Sequence, residues 1–358
     1  MDFPNNIFPS TYQAIQSFLR DTLTAWNLRA DAVSVLVQVV MGMIVITVIL
    51  IFAPVTMMFL TWMERKLIGR IQNRIGPNRV GPWGLMQPMA DMVKILTKED
   101  IIPTGADKWV HTLGPIVLVI PVVLSFAVIP FGRDMAPVDL NIGILFIVAL
   151  GSLATIGIFM AGFGSNNKFA LIGGMRAVAQ IISYEIPQVL SIVTVLLLAG
   201  SLSLVAIVNG QTNYWYVLAI PVGPIAFVIY MISAIAETNR TPFDLPEAES
   251  EIIAGHHTEY SGMKFGLFYL AEYLSLFLIC AIGSTLFLGG WQGPLLPPWI
   301  WFLIKTYALI FVAMWIRGTL PRFRIDQLMG FAWKVLVPIS LVNIVLTAIL
   351  VTTVFKPS

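Results

Sequence analysis

The most constraining feature of this chain is a series of apolar blocks, each about as long as a bilayer is thick. Residues 33–60, 113–130, 142–161 and 331–354 are almost free of charge. A helix rising about 1.5 Å per residue needs roughly 20 apolar residues to cross the hydrocarbon core. Across the 358 residues, 58% are hydrophobic and 11% charged, whereas soluble domains carry about 25% charged residues. The expected fold class is an all-α polytopic membrane protein with about eight transmembrane helices and additional interfacial amphipathic helices.

The hydropathy pattern predicts spans over 33–62, 113–129, 142–161, 172–199, 216–236, 266–288, 300–320 and 331–354. Basic residues then set the orientation, because Lys and Arg concentrate on the cytoplasmic side. Arg65, Lys66, Arg70, Arg74, Arg79, Lys94, Lys98 and Lys108 follow the first span, and Arg317, Arg322, Arg324 and Lys334 lie near the last two. Only Arg20, Arg29, Arg133, Lys305 and Lys356, of 21 basic residues, fall on the other side. The expectation is therefore cytoplasmic loops at 63–112, 162–171, 237–265 and 321–330, with both termini outside. The transmembrane domain is read as 33–358.

Residues 1–32 form a separate segment in this reading. Tyr12, Ile15, Leu19, Leu23 and Trp26 recur at helical spacing, as expected of an amphipathic helix on the outer membrane surface. The opening residues lack the basic and apolar regions of a cleavable signal, so the spans themselves are expected to direct insertion.

The loop at 63–112 holds acids among its bases. Glu64 and Asp91 stand beside Arg65, Arg74 and Lys94, and an orientation signal alone would need only the bases. The mixture predicts a structured ion-pair network. Gly76-Pro77 and Gly81-Pro82 interrupt any helix there. After them Leu85, Met89, Met92 and Leu96 share one helical face, which predicts a short helix lying in the interface.

The loop at 237–265 is acidic. Glu237, Asp244, Glu247, Glu249, Glu251 and Glu259 face only Arg240 and Lys264. Crowded like charges raise one another's proton affinity. Two more acids, Glu185 and Glu272, sit within spans, where an ionisable group costs about 2.5–3.5 kcal/mol on insertion scales. Such a group lines a polar cavity, passes protons or pairs with a base, Arg176 being one choice for Glu185.

Several functions are disfavoured. The single cysteine, Cys280, allows no intrachain disulfide and no four-cysteine iron–sulfur cluster. No pair of histidines lies within spans to hold a haem, and neither a phosphate-binding loop nor a dinucleotide fingerprint is present. Nothing calls for nucleic acid. Electron carriers are expected to come from partners.

At its loops the chain resembles the H-subunit (subunit 1) family of proton-pumping NADH:quinone oxidoreductase, respiratory complex I. The resemblance rests on Glu64-Arg65-Lys66 through Asp91, Arg176 to Gln180 with Ser183-Tyr184-Glu185, and the run from Ala236 to Glu251. It extends through Thr258 to Lys264, Ala271-Glu272-Tyr273, Trp315-Ile316-Arg317 and Pro321 to Gln327. It implies a membrane subunit that shapes a quinone tunnel beneath a peripheral arm and links quinone reduction to proton translocation. By motif match, Glu64, Arg65, Arg74, Asp91, Arg317 and Arg322 would serve the tunnel. Glu185, Glu237, Asp244, Glu247, Glu249, Glu251 and Glu272 would form the acidic path.

The resemblance further implies quinone as substrate, no covalently bound cofactor, and iron–sulfur clusters, flavin and the NAD site only in partner subunits. Those partners would be the peripheral iron–sulfur arm and antiporter-like membrane subunits, in a bacterial plasma membrane. The alternatives are the membrane anchor of a related hydrogenase or reduced-deazaflavin dehydrogenase, and a stand-alone secondary transporter.

Overall fold

The computed structural model describes residues 13–18, 20, 22, 30–133, 135–245 and 254–353. Most of the amphipathic stripe expected before the first span, including Tyr12, Leu19, Leu23 and Trp26, lies outside these residues. Among the described residues every regular element is helical. Among the same described residues, seven helices are long and apolar enough to cross a membrane, and a further apolar helix is shorter.

The first helix, α1 (Ala30–Ile71), has 42 residues and therefore spans about 63 Å, twice the roughly 30 Å hydrocarbon core. It passes the end of its apolar block because Glu64, Arg65, Lys66 and Leu67 all favour helix. The chain then turns at Asn73, with φ 53°. The charges expected at the start of a loop thus ride on a rigid helix. The following turn needs glycine at position 84, where a Cβ would lie 2.2 Å from the Pro77 carbonyl oxygen. It delivers the chain to α2 (Gln87–Thr97), whose Met89, Val93 and Leu96 are exposed. That apolar face suits the membrane interface.

Helices α3 (Lys108–Ser125) and α4 (Gly143–Gly164) pack closely through small residues. A Cβ on Gly157 would come within 2.8 Å of the Leu118 backbone nitrogen, and one on Gly164 within 2.8 Å of that of His111. Small residues at facing positions let backbones approach inside a bilayer. Helix α5 (Lys168–Ala199) starts on an Asn167 side-chain cap and ends at Gly200, in the left-handed region. A short helix, α6 (Leu204–Gly210), follows.

The span expected over 216–236 is divided. Tyr216–Leu218 forms a 3-10 turn, and α7 (Val222–Glu237) begins after Pro221. Proline fits a helix start, where no intrahelical N–H bond is required. Helix α8 (Gly262–Phe287) is the most deeply buried of the long spans and packs against α1, α3, α7 and α9 (Pro298–Thr319). The chain closes with α10 (Ile325–Phe331), a π-helical turn over Ala332–Leu336, and α11 (Val337–Thr353). Pro338 lacks an N–H and its ring crowds the Lys334 carbonyl, which accounts for the widened turn.

Candidate charge relay between the loops and the helix core

Glu64, Arg240, Arg317 and Glu272 come from four separate segments and meet in one cluster. Glu64 accepts from Arg240 Nη1 and from Arg317 Nη1, each at 2.5 Å. Arg240 Nη2 lies 3.1 Å from Glu272 Oε1. The Arg240 guanidinium also sits 4.5 Å above the Tyr273 ring, a favourable cation–π position. Arg240 is only 1% exposed and Glu64 5%. Charges that far from water must be paired, and removing either partner strands the other. Burial is the largest influence on Arg240 and opposes its charge. Glu64 and Glu272 outweigh it and hold the guanidinium pKa above its ordinary value.

Gln180 of α5 positions this arginine. Its amide donates to the carbonyls of Ala236 at 2.8 Å and Phe243 at 2.7 Å, and to Asn239 Oδ1 at 3.2 Å. These bonds pin the turn after α7, where Asn239 has φ 51°, so that Arg240 points toward α1 and α8.

Two ion pairs flank the cluster. Arg322 Nη2 contacts Asp244 Oδ2 at 3.0 Å, and Asp244 Oδ1 is buried without a hydrogen-bond partner among the described residues. Burial, the largest cause, pushes the Asp244 pKa up, although Arg322, Arg317 and Arg240 pull the other way. Desolvation rather than crowded acids therefore governs this member of the acidic loop. Nearer α2, Arg65 Nη1 contacts Asp91 Oδ2 at 2.6 Å, and Gln87 and Lys94 add weaker contacts. Burial, the largest single influence, raises Asp91, but Arg65, Gln87 and Lys94 together hold it below the usual carboxylate range.

Glu272, Glu237 and Glu185 are linked through two cavities. Glu237 and Glu272 line a common cavity of about 100 Å³, and a fifth of the Glu272 side chain (21%) is accessible. A second, smaller hollow of about 50 Å³ is shared by Glu237, Glu185, Gln188 and Tyr230. Gln188 and Glu237 share a wall of that hollow, and Ser152 donates a short hydrogen bond to Glu185. Arg176 stands nine positions before Glu185 on α5, a rise of about 13 Å, and Ser152 supplies the described contact. Each acid in the series thus shares either a cavity wall or a base with the next. Another hollow, of about 450 Å³, has mainly apolar walls, including Tyr184, Ile235, Phe243, Ile316, Phe323 and Leu328. It lies beside the Asp244–Arg322 pair in sequence and space.

Of the residues singled out by sequence, Glu64, Arg317, Glu272, Asp244 and Arg322 surround Arg240, and Arg65 with Asp91 form a neighbouring pair. Arg74 does not join either group; its Nε donates to Gln72 Oε1 at 2.7 Å in an exposed turn. Glu247, Glu249 and Glu251 lie outside the described residues. The central roles of Arg240, Gln180 and Tyr273 were not read from the sequence. The signal for Arg240 was that it is one of only two bases among six acids.

The sequence model of a family described as NADH dehydrogenase matches residues 28–348. A protein of Dehalococcoides mccartyi strain CBDB1, named as the H subunit of NADH-quinone oxidoreductase, is 58% identical over 297 residues, covering 83% of each chain. A Geobacter sulfurreducens protein, named as the second H subunit of NADH-quinone oxidoreductase, is 52% identical over 298 residues, covering 81% of this chain and 90% of its own. One from Syntrophotalea carbinolica, again named as the H subunit, is 49% identical over 323 residues, covering 88% and 96%.

Proposed function

This chain belongs to the NADH dehydrogenase family, and from that premise we propose that it is the membrane subunit of a proton-translocating NADH:quinone oxidoreductase that links quinone reduction to proton movement. The observation that carries this reading is the double pairing of Glu64 with Arg240 and Arg317, while Arg240 also reaches Glu272. One buried cation thus connects the group assigned to the quinone tunnel with the group assigned to the acidic path.

In this reading Glu64, Arg65, Asp91, Arg317 and Arg322 form and support the polar side of the tunnel, with Arg74 at its approach. Quinone is the substrate, and the electrons arrive from flavin and iron–sulfur clusters in peripheral partner subunits. A charge appearing near Arg317 or Arg65 on quinone reduction alters how strongly Glu64 holds Arg240. Arg240 in turn sets the charge preference of Glu272, since a nearby cation favours the ionised carboxylate. Protonation of Glu272 then shifts the balance at Glu237 and Glu185 across their shared cavities. Asp244 belongs to the acidic path in this reading, and Glu247, Glu249 and Glu251 are assigned to it by their match to the family motif. Antiporter-like membrane subunits receive the signal beyond Glu185. The setting is a bacterial plasma membrane, with the large loops cytoplasmic and both termini outside.

Gentle purification of the tagged chain tests this reading directly. The expected result is co-purification with flavin- and iron–sulfur-containing subunits and with quinone. A nickel enzyme among the partners would favour a hydrogenase anchor instead. Recovery as an isolated, transport-active monomer would sink the proposal.

A further inference from the structure

The cavity between Glu237 and Glu272 is also walled by groups to which the acidic path gives no role. Thr155 of α4, 8% exposed, and His256 of the 255–257 turn, 6% exposed, both line it. Thr155 Oγ1, His256 Nδ1 and Glu237 Oε2 are all enclosed and have no hydrogen-bond partner among the described residues. Their three residues line one cavity, and the unpartnered atoms call for an explanation, because buried polar groups almost always find partners. A polar cavity with room for a water molecule and two to four polar partners is the setting in which buried water is held. This cavity, of about 100 Å³, has room for water, and Thr155, His256, Glu237 and Glu272 are among its lining residues.

The position of His256 is fixed by packing. A Cβ on Gly173 of α5 would fall 2.5 Å from the Cα of Gly255, so the turn is pressed directly onto that helix. The His256 ring stands edge-on to Phe268 at 5.4 Å and to His257 at 4.9 Å. The imidazole is thereby held in one orientation on the cavity wall. Burial first, and then the neighbouring His257, push the His256 pKa down to about 3. The ring is accordingly neutral near pH 7 and has a nitrogen lone pair for a hydrogen bond from water.

We propose that Thr155 and His256 are positioning residues that anchor water between Glu272 and Glu237, and that this anchored water carries a proton from one carboxyl to the other. The step balances simply. The protonated Glu272 carboxyl gives its proton to the adjoining water, that water releases one of its own toward Glu237, and Glu272 is left as carboxylate while Glu237 becomes the acid. Thr155 and His256 hold the water oxygen and hydrogens in line and exchange no proton themselves. This inference rests on the acidic path proposed above.

The test uses the assembled complex in inverted membrane vesicles. NADH-driven proton uptake is measured beside electron transfer to an artificial acceptor that bypasses the membrane subunits and reports assembly. Thr155→Val keeps the side-chain shape but removes the hydroxyl, and is expected to slow coupled turnover about tenfold, the scale of one lost hydrogen bond. Thr155→Ser restores the hydroxyl and the rate. His256→Phe likewise slows turnover, and His256→Asn restores part of it. The Glu237 carboxyl stretch, read by infrared difference spectroscopy and assigned with Glu237→Gln, is expected to shift in Thr155→Val and not in Thr155→Ser. A purely structural role for Thr155 would leave that band unmoved. Wild-type pumping and an unshifted band in both Thr155→Val and His256→Phe, with Glu237→Gln still impaired, overturn the inference and leave the acidic path standing. Unimpaired Glu237→Gln overturns the path itself.

Discussion

Glu64 and Arg240 are 176 positions apart in the sequence, yet their side chains meet at 2.5 Å between α1 and the turn after α7. Both are almost fully enclosed. The pair does not merely decorate a helix surface: it is the point where a helix on the periphery of the bundle is tied to the buried α8 through Glu272 and Tyr273.

Glu64→Gln is expected to be costly because it leaves two guanidinium groups facing a neutral amide. Breaking a buried pair by removing one partner costs about 3–5 kcal/mol. The expected outcome is a lower thermal unfolding midpoint for the purified complex and a loss of quinone reductase activity. An unchanged midpoint with normal turnover would contradict the cluster's role.

Arg317→Ala and Glu237→Gln separate the two ends of the relay. Arg317 is a quarter exposed, with 26% of its side chain accessible, so its removal is less damaging to the fold than loss of Arg240. The complex is expected to assemble and to lose at least tenfold in quinone reduction, the scale of one charged hydrogen bond. Glu237→Gln is expected to assemble equally well and to impair proton uptake. Normal turnover and pumping in both assembled variants would refute these assignments.

Acid sensitivity follows from the histidine turn. Burial is the leading cause that pushes His256 down to about 3 and His257 down to about 4, from 6.5 in a free chain. Below pH 6.5 the unfolded chain binds protons that the folded chain does not, so stability is complete above pH 6.5 and falls as the pH drops toward 4. Each group contributes a slope approaching about 1.4 kcal/mol per pH unit. Thermal melts in detergent at a series of pH values check this, and replacing both histidines by asparagine is expected to flatten the profile.

Lys305 is a buried cation that meets no acid among the described residues. Its ammonium donates to the carbonyls of Leu288 at 2.6 Å, Gly290 at 3.0 Å and Gln292 at 2.6 Å, and lies 4.6 Å from the Trp215 ring. It therefore closes the end of α8, where the helix dipole favours a positive charge. Lys305→Met is expected to destabilise the subunit by about 3 kcal/mol, because stranding buried acceptors costs about 1–3 kcal/mol each. Lys305→Arg is expected not to rescue it, since a planar guanidinium does not match three converging carbonyls. Unfolding midpoints of the three proteins decide the matter.

Much of the architecture was legible beforehand for a physical reason. Lipid demands apolar side chains over a whole span and satisfied backbone groups within it, so helices α1, α3, α4, α5, α8, α9 and α11 announce themselves as apolar blocks. The exceptions are local. Helix α1 outran its apolar block because charged residues with high helix propensity carried it on to Ile71, and α7 was shortened by Pro221.

The candidate site was legible only in part. The sequence marks Glu185 and Glu272 as costly wherever they lie in a bilayer, and it marks the mixed charges after α1 and α7 as more than orientation signals. Which acid meets which base depends on how the helices are rotated and how deeply each sits, and hydropathy carries neither. Gly157 and Gly164 set the closeness of α3 and α4, Gln180 folds the turn that aims Arg240, and Arg317 reaches Glu64 from 253 positions away. The sequence by itself determined that this chain lives in a membrane and which residues carry its charge. Only the tertiary structure decided that Glu64, Arg240 and Glu272 share one enclosed site, because buried charges are tolerated only where packing brings their partners within reach.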